Sequence, residues 1–488
     1  MPRHLGGALY AVATAGVAFT MSSFTGVSAA GAAMAGPQSS AHRTYGMSRA
    51  GYAADRSQAM ASHASADPRG ATIRVNVGSK GAQANSFSFS QPPTAVSGDG
   101  RFVAFESSAD NLIGGDTNQA GDVFVHDRKP GKTKRVSVAS DGTQGNDLSG
   151  SASISGDGRF VAFVSAASNL VPGDTNGVFD VFVHDRKTGI TTRVSVASDG
   201  TQGNADSAFV GAPQLSSGGR FVAFESFASN LVPGDTNGTL DIFVHDRQTG
   251  TTTRASVASD GVEGNDQSLS PSISGDGRFV SFDSVASNLV PGDTNTCGSV
   301  IPGSCADIFV RDMQAGTTTR VSVASDGTQS DNTSESPSIS ADGRFAAFAS
   351  FATNLVPGDT NGAFDIFVRD MQTGTTTRVS VASNGTQGNS DSRPASINGD
   401  GRFVAFASYA SNLVPADSNS DSDIFVHDQQ TGTTTRVSVA SDGTPANSGS
   451  ARPSISGDGR FVSFDSVASN LVPGDTNGII DVFLHQLS

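Results

Sequence analysis

The chain has 488 residues, with 46 Asp and Glu against 31 Lys and Arg and a formal net charge of −15. No basic run interrupts that acidity, which excludes nucleic acid and anionic membrane surfaces as partners, since both demand clustered Lys and Arg. Trp is absent and Phe (30) far outnumbers Tyr (4), so a core must be built from Phe, Val, Ile and Ala, a composition suited to β-structure.

At the N-terminus, Arg3 and His4 precede an apolar run over 8–21 and small residues through Ala29 and Ala30. This pattern predicts a signal peptide over 1–30, cleaved near Ala29-Ala30. The run is shorter than the ~20 residues of a membrane-spanning helix, so the expectation is a secreted or cell-envelope protein without membrane insertion. Residues 31–70 are rich in Ala, Ser and Gly, cannot bury a core, and read as a disordered linker.

From 71 to 488 one unit recurs, marked by Gly-Arg-Phe with its arginine at Arg101, Arg159, Arg220, Arg278, Arg344, Arg402 and Arg460. Successive intervals are 58, 61, 58, 66, 58 and 58 residues; the longer two carry an insertion after Ser207 and another around the two cysteines. Seven copies at a fixed period predict a repeat architecture.

Within the second copy, four strand-like segments are separated by turns. A short first strand ends at Ser155, and Gly-Asp-Gly then makes a hairpin. The second strand (159–165) and third strand (180–185) are apolar on both faces. After a Lys-Thr-Gly turn, Thr192, Val194 and Val196 alternate with Thr191, Arg193 and Ser195, which predicts a fourth strand with one wet face. Two-sided burial of inner strands beside a half-exposed outer strand suits a blade packed between blades. The fold expected is all-β, a seven-bladed β-propeller of four-stranded antiparallel blades. The last copy stops after its third strand, and TIRVNV at 72–77 matches the missing fourth, so the N-terminal strand is expected to close the last blade.

The unit S-x-S-G-D-G-R-F-V-A-F, then D-V-F-V-H-D, then T-R-V-S-V resembles the WD40-like repeat of TolB-type β-propellers over residues 72–488. The resemblance implies the propeller fold. The family's turn is Pro-Asp-Gly where this chain has Gly-Asp-Gly, and TolB's additional α/β domain has no counterpart in 31–70.

A residue repeated in every blade is most simply a fold requirement, whereas a site should break the symmetry. His126, His184, His245, His427 and His485 share one position in the third strand, where the fourth and fifth copies have Arg311 and Arg369. Arg cannot replace a metal ligand, so these read as structural. The loop between strands two and three carries Asp-x-Asn and a later Asp: Asp116, Asn118 and Asp122; Asp174, Asn176 and Asp180; Asp235, Asn237 and Asp241; Asp359, Asn361 and Asp365; Asp475, Asn477 and Asp481. Blade six has Asp417, Asn419, Asp421 and Asp423. These oxygen donors are of the kind Ca²⁺ takes, and they are also turn-capping residues that need no ion. Cys297 and Cys305, in one short insertion of an exported chain, are expected to pair as a disulfide.

No Gly-x-Ser-x-Gly elbow, His-Glu-x-x-His or phosphate-binding loop occurs, and no catalytic set is read. The function expected is therefore a secreted, monomeric, non-enzymatic propeller that serves as a binding scaffold for another protein or an extracellular glycan. The alternative is an exported carbohydrate-active lyase or hydrolase with a cation at the central channel.

Overall fold

The computed structural model describes residues 70–208, 211–295, 305–415, 417 and 419–487; the expected signal peptide over 1–30, the expected linker up to residue 69 and Cys297 lie outside them. The described strands form seven four-stranded antiparallel sheets, each in chain order except the last. In the second blade they are Ser149–Ile154, Phe160–Ser165, Asp180–Asp185 and Ile190–Arg193. The third strand begins and ends where the apolar run predicts. The fourth differs from expectation: its ladder stops at Arg193, and Thr191 and Ser195 are buried at 4 % and 0 % exposure. One face is wet, as the alternation predicts: Ile190 and Thr192 face solvent, while the polar groups of Thr191 and Ser195 turn inward and find partners there.

Each apolar layer lies between two blades. Val123, Val125 and Val136 of blade one pack with Ile154, Val161 and Phe163 of blade two. Val75, Val103 and Phe105 pack in the same way with Phe461, Val482 and Leu484 across the closing seam. The recurrent Gly-Arg-Phe triplet follows from this stacking. Gly158 sits at φ 69°, and a Cβ placed there would lie 2.2 Å from the Phe102 ring of the preceding blade. The same relation joins every neighbouring pair and ends with Phe461 over Gly100. In the first six blades the triplet's arginine bridges the second and third strands, as where Arg159 Nε and Nη2 donate to the Asp185 carboxylate at 2.9 and 2.6 Å.

Closure is as the termini predict. Thr72–Arg74 pairs antiparallel with Asp481–Gln486, Thr72 opposite His485 and Arg74 opposite Phe483, as the fourth strand of the last blade.

The first strands line the lumen, which is closed on the hairpin side. Small residues after each first strand form a belt of backbone hydrogen bonds from blade to blade: Gly98 to Gly156, Ser217 to Gly275, Gly275 to Ala341, Ala341 to Gly399, Gly399 to Gly457, and Asp458 back to Gly98, all at 2.9–3.0 Å. Above it, blades one and three have first strands of only two residues, Ser88–Phe89 and Gln214–Leu215. Their chains leave the ladder and meet across the axis, where Thr94 Oγ1 donates to Gln214 Oε1 at 2.6 Å. Ser396 and Ser454, of blades six and seven, donate to the Pro93 carbonyl at 3.1 and 2.8 Å. These bonds cross the axis on the hairpin side; the opposite end of the ring, toward the Asp-rich loops, is termed the bowl.

Candidate functional site

The Asp-rich loops are built around arginine. In blade one, Arg135 Nη1 lies 3.2 Å from Asp116 and 2.9 Å from Asp122, while Ser137 Oγ donates to Asp122 at 2.6 Å and Gln144 Nε2 to Asp116 at 2.8 Å. Each blade repeats the arrangement, with Arg74, Arg193, Arg254, Arg320, Arg378 and Arg436 in the same place between the two Asp carboxylates. The asparagines turn Nδ2, not Oδ1, toward the second Asp: Asn118 to Asp122, Asn176 to Asp180, Asn237 to Asp241, Asn361 to Asp365, Asn419 to Asp423 and Asn477 to Asp481. The guanidinium thus supplies the positive charge among these oxygens. Asp421 stands apart, exposed, accepting from Ser448 at 3.4 Å. In blade four, Asp293 and Asp307 meet across the cysteine insertion on Arg320; Cys305 is buried at 3 % exposure, and its expected partner Cys297 lies outside the described residues.

Blade three departs from this pattern. Glu263 replaces the glutamine, so that Asp235, Asp241 and Glu263 bring oxygens within 4.8 Å of one another, and Arg254 contacts all three. Burial, and then the charge of Asp241, push Asp235 up to about 6, against the pull of Arg254.

The histidines are interblade struts. Nδ1 of His126, His184, His245, His427 and His485 lies 2.8–3.0 Å from a threonine hydroxyl of the outer strand. That hydroxyl donates to a valine carbonyl of the preceding blade, as Thr191 does to Val138, so the imidazole must supply Nδ1–H. Arg311 and Arg369 donate Nη1–H to the corresponding Thr318 and Thr376, which explains why His and Arg interchange there. Burial holds His126 and His485 down at about 4, and the imidazoles are neutral.

Symmetry fails around the bowl. The fifth residue of the second strand is Glu106, Val164, Glu225, Asp283, Ala349, Ala407 and Asp465 in turn. Each acid reaches the next blade, and for Glu106, Glu225 and Asp283 a bulge with positive φ in its first strand presents a backbone N–H. Ser151 donates to Glu106 at 2.6 Å, Ser270 to Glu225 at 3.3 Å and Ser336 to Asp283 at 3.3 Å, with φ of 48°, 52° and 55° at the three serines. Ser90 donates N–H and Oγ–H to Asp465 at 2.9 and 2.8 Å. Where Ala349 removes the acid, the facing residue is Pro394, which has no N–H to satisfy. Burial pushes Asp283 and Asp465 up to about 7; Glu335 and Glu225 add to the effect at Asp283, and Arg452 opposes it at Asp465. Beside this arc, Arg393 binds Glu335 at 2.8 Å and lies 4.1 Å over the Phe364 ring, while Phe227 and Tyr409 stand exposed on the rim. The sequence carried this signal, four residue types among the seven copies of one repeat position, but within a single strand nothing marks what that position meets in the next blade.

No family model matches the chain, and no curated relative matches it. Solved structures do resemble it. An oligogalacturonate lyase from Vibrio parahaemolyticus aligns at TM-score 0.50 and 13 % identity over 86 % of this chain and 99 % of that one. The β-propeller domain of a trilobed protease from Pyrococcus furiosus aligns at 0.47 and 10 %, over 83 % and 98 %. TolB from Acinetobacter baumannii aligns at 0.38 and 14 %, over 72 % of this chain and 62 % of that one. What they share with it is the propeller fold. The chain spans under two thirds of that TolB's length. No helix among the described residues is long and apolar enough to cross a membrane.

Proposed function

We propose that this protein is an exported binding propeller that holds an extracellular partner, a protein or a glycan, in the bowl on its Asp-loop face. The observation that carries this reading is where the symmetry fails. The Phe-on-Gly seams and the Asp–Arg clusters repeat around the ring, while unlike acids, arginines and exposed aromatic residues meet at the bowl. Binding rather than catalysis is favoured because the carboxylates of Glu225, Asp283 and Asp465 accept backbone N–H groups of neighbouring strands and so brace the rim.

The test is the full chain applied to arrays of extracellular polysaccharides and peptides. Binding should be lost in the double variant Glu335→Gln with Tyr409→Ser and kept in Ile190→Ser, which alters the outer strand. Binding indifferent to the bowl variant would overturn the reading. Cleavage of a bound polysaccharide that Asp283→Asn abolishes would replace it with the enzymatic alternative.

A further inference from the structure

One blade junction on the bowl face is emptied of side chains that its counterpart carries. Between blades five and six, Phe351 and Phe364 meet edge to face at 5.3 Å, and the Arg393 guanidinium lies over Phe364, bound to Glu335. The corresponding residues between blades one and two are Ser108, Gly121 and Gly150. Two aromatic rings and an arginine are missing there, and a cavity of about 280 Å³ takes their place.

Its walls include Phe87, Phe89, Leu148 and Phe179, with Glu106 among the lining residues. Glu225 and Asp465, its counterparts in other blades, are shut in at 0 % and 2 % exposure, whereas Glu106 is partly open. Ser151 N–H donates to Glu106 Oε2. Arg452, the nearby cation that acts on Glu106, is committed elsewhere, bonded to Asp465 at 3.2 Å and stacked 4.8 Å over Phe89. The junction therefore offers a carboxylate, set on the second strand rather than at the place of Glu335, and aromatic walls, with Gly150 where Arg393 stands between blades five and six.

We propose that this cavity binds an organic cation on an apolar stem, of the kind an arginine or lysine side chain presents, with its stem against Phe87 and Leu148 and its charge toward Glu106. The chain's net charge of −15 favours the approach of such a ligand. The proposal rests on the bowl face being the binding face, and it names the chemistry of one contact there.

Ligand-observed NMR on the full chain tests it, with n-butylguanidinium as the probe, 1-pentanol as the neutral control, and N-acetyl-arginine amide to show whether a peptide-borne cation also enters. The cation should bind saturably and at least about fivefold more tightly than the alcohol, a margin expected of a charge meeting a carboxylate and aromatic faces. Glu106→Gln should remove that margin while leaving the alcohol unchanged. Gly121→Phe, which installs the residue blades two and five carry, should abolish cation binding without lowering Tm. Equal binding of alcohol and cation, no saturable cation binding, or undiminished binding in Glu106→Gln overturns the proposal. If the Glu335→Gln, Tyr409→Ser variant still loses its array partner while these results are negative, the cation pocket fails and the bowl reading stands.

Discussion

Gly158 answers to two neighbours at once: its own hairpin needs φ 69°, and the Phe102 ring fills the place a side chain would take. Gly200 has φ 87° but open space around it. Gly158→Ala should therefore cost more than ~2 kcal/mol, adding overlap to backbone strain, and Gly200→Ala only about 1 kcal/mol; denaturant unfolding of the two variants checks the difference. Asp283 makes a second prediction at this scale. Its folded-state value of about 7 lies above the ordinary carboxylate value of 3.8, so between these pH values the folded protein keeps a proton that the unfolded chain releases. Stability from this group is present below about pH 4 and is lost as the pH rises through 7. His126 and His485, held at about 4 against an ordinary 6.5, slope the other way, losing stability as the pH falls from 6.5 to 4. Asp283→Asn should match the parent near pH 4 and exceed its Tm by roughly 2 °C at pH 8; melting curves at the two pH values decide it.

At the scale of strands and loops, repetition made much of the molecule readable. Asp180–Asp185 was legible to the residue because three apolar residues in a row are bounded by charged ends. The Asp-rich loops were legible as clusters but not in their chemistry. In six of the seven blades the arginine that joins the pair stands 13 positions after the second Asp, as Arg135 does after Asp122, a spacing that could have revealed it. Which polar groups of the fourth strand turn inward was hidden because alternation cannot tell a solvated polar face from one whose polar groups are paired. The bond across the lumen was beyond reach, since Thr94 and Gln214 meet only once the ring has closed. Because each carboxylate pair already holds a guanidinium, a chelator is expected to leave Tm within ~1 °C. A larger fall, reversed by Ca²⁺, would return these loops to the cation-binding reading.

Across the whole molecule, the bond between the ends is the vulnerable one. Thr72 joins His485 by side chain and ladder, Arg74 joins Asp475 and Asp481, and Val75 belongs to the core shared by blades seven and one. Deleting residues 70–77 should lower the melting temperature of the entire propeller and promote association through the bared edge of the last blade. An unchanged, monomeric melt would show that the ring does not depend on this closure.

The bonding across the axis has a consequence for how many blades the ring can have. Neighbouring blades meet through seams that any further copy could reproduce, since each needs only a phenylalanine on one side and a glycine on the other. The Thr94–Gln214 bond and the Pro93 contact with Ser396 are different, for they join blades that are not neighbours and so measure the width of the lumen. An eighth repeat would fit every seam and still pull these groups out of reach. The two irregular first strands thus act as a gauge, setting the count at seven in a sequence whose repeats could otherwise go on.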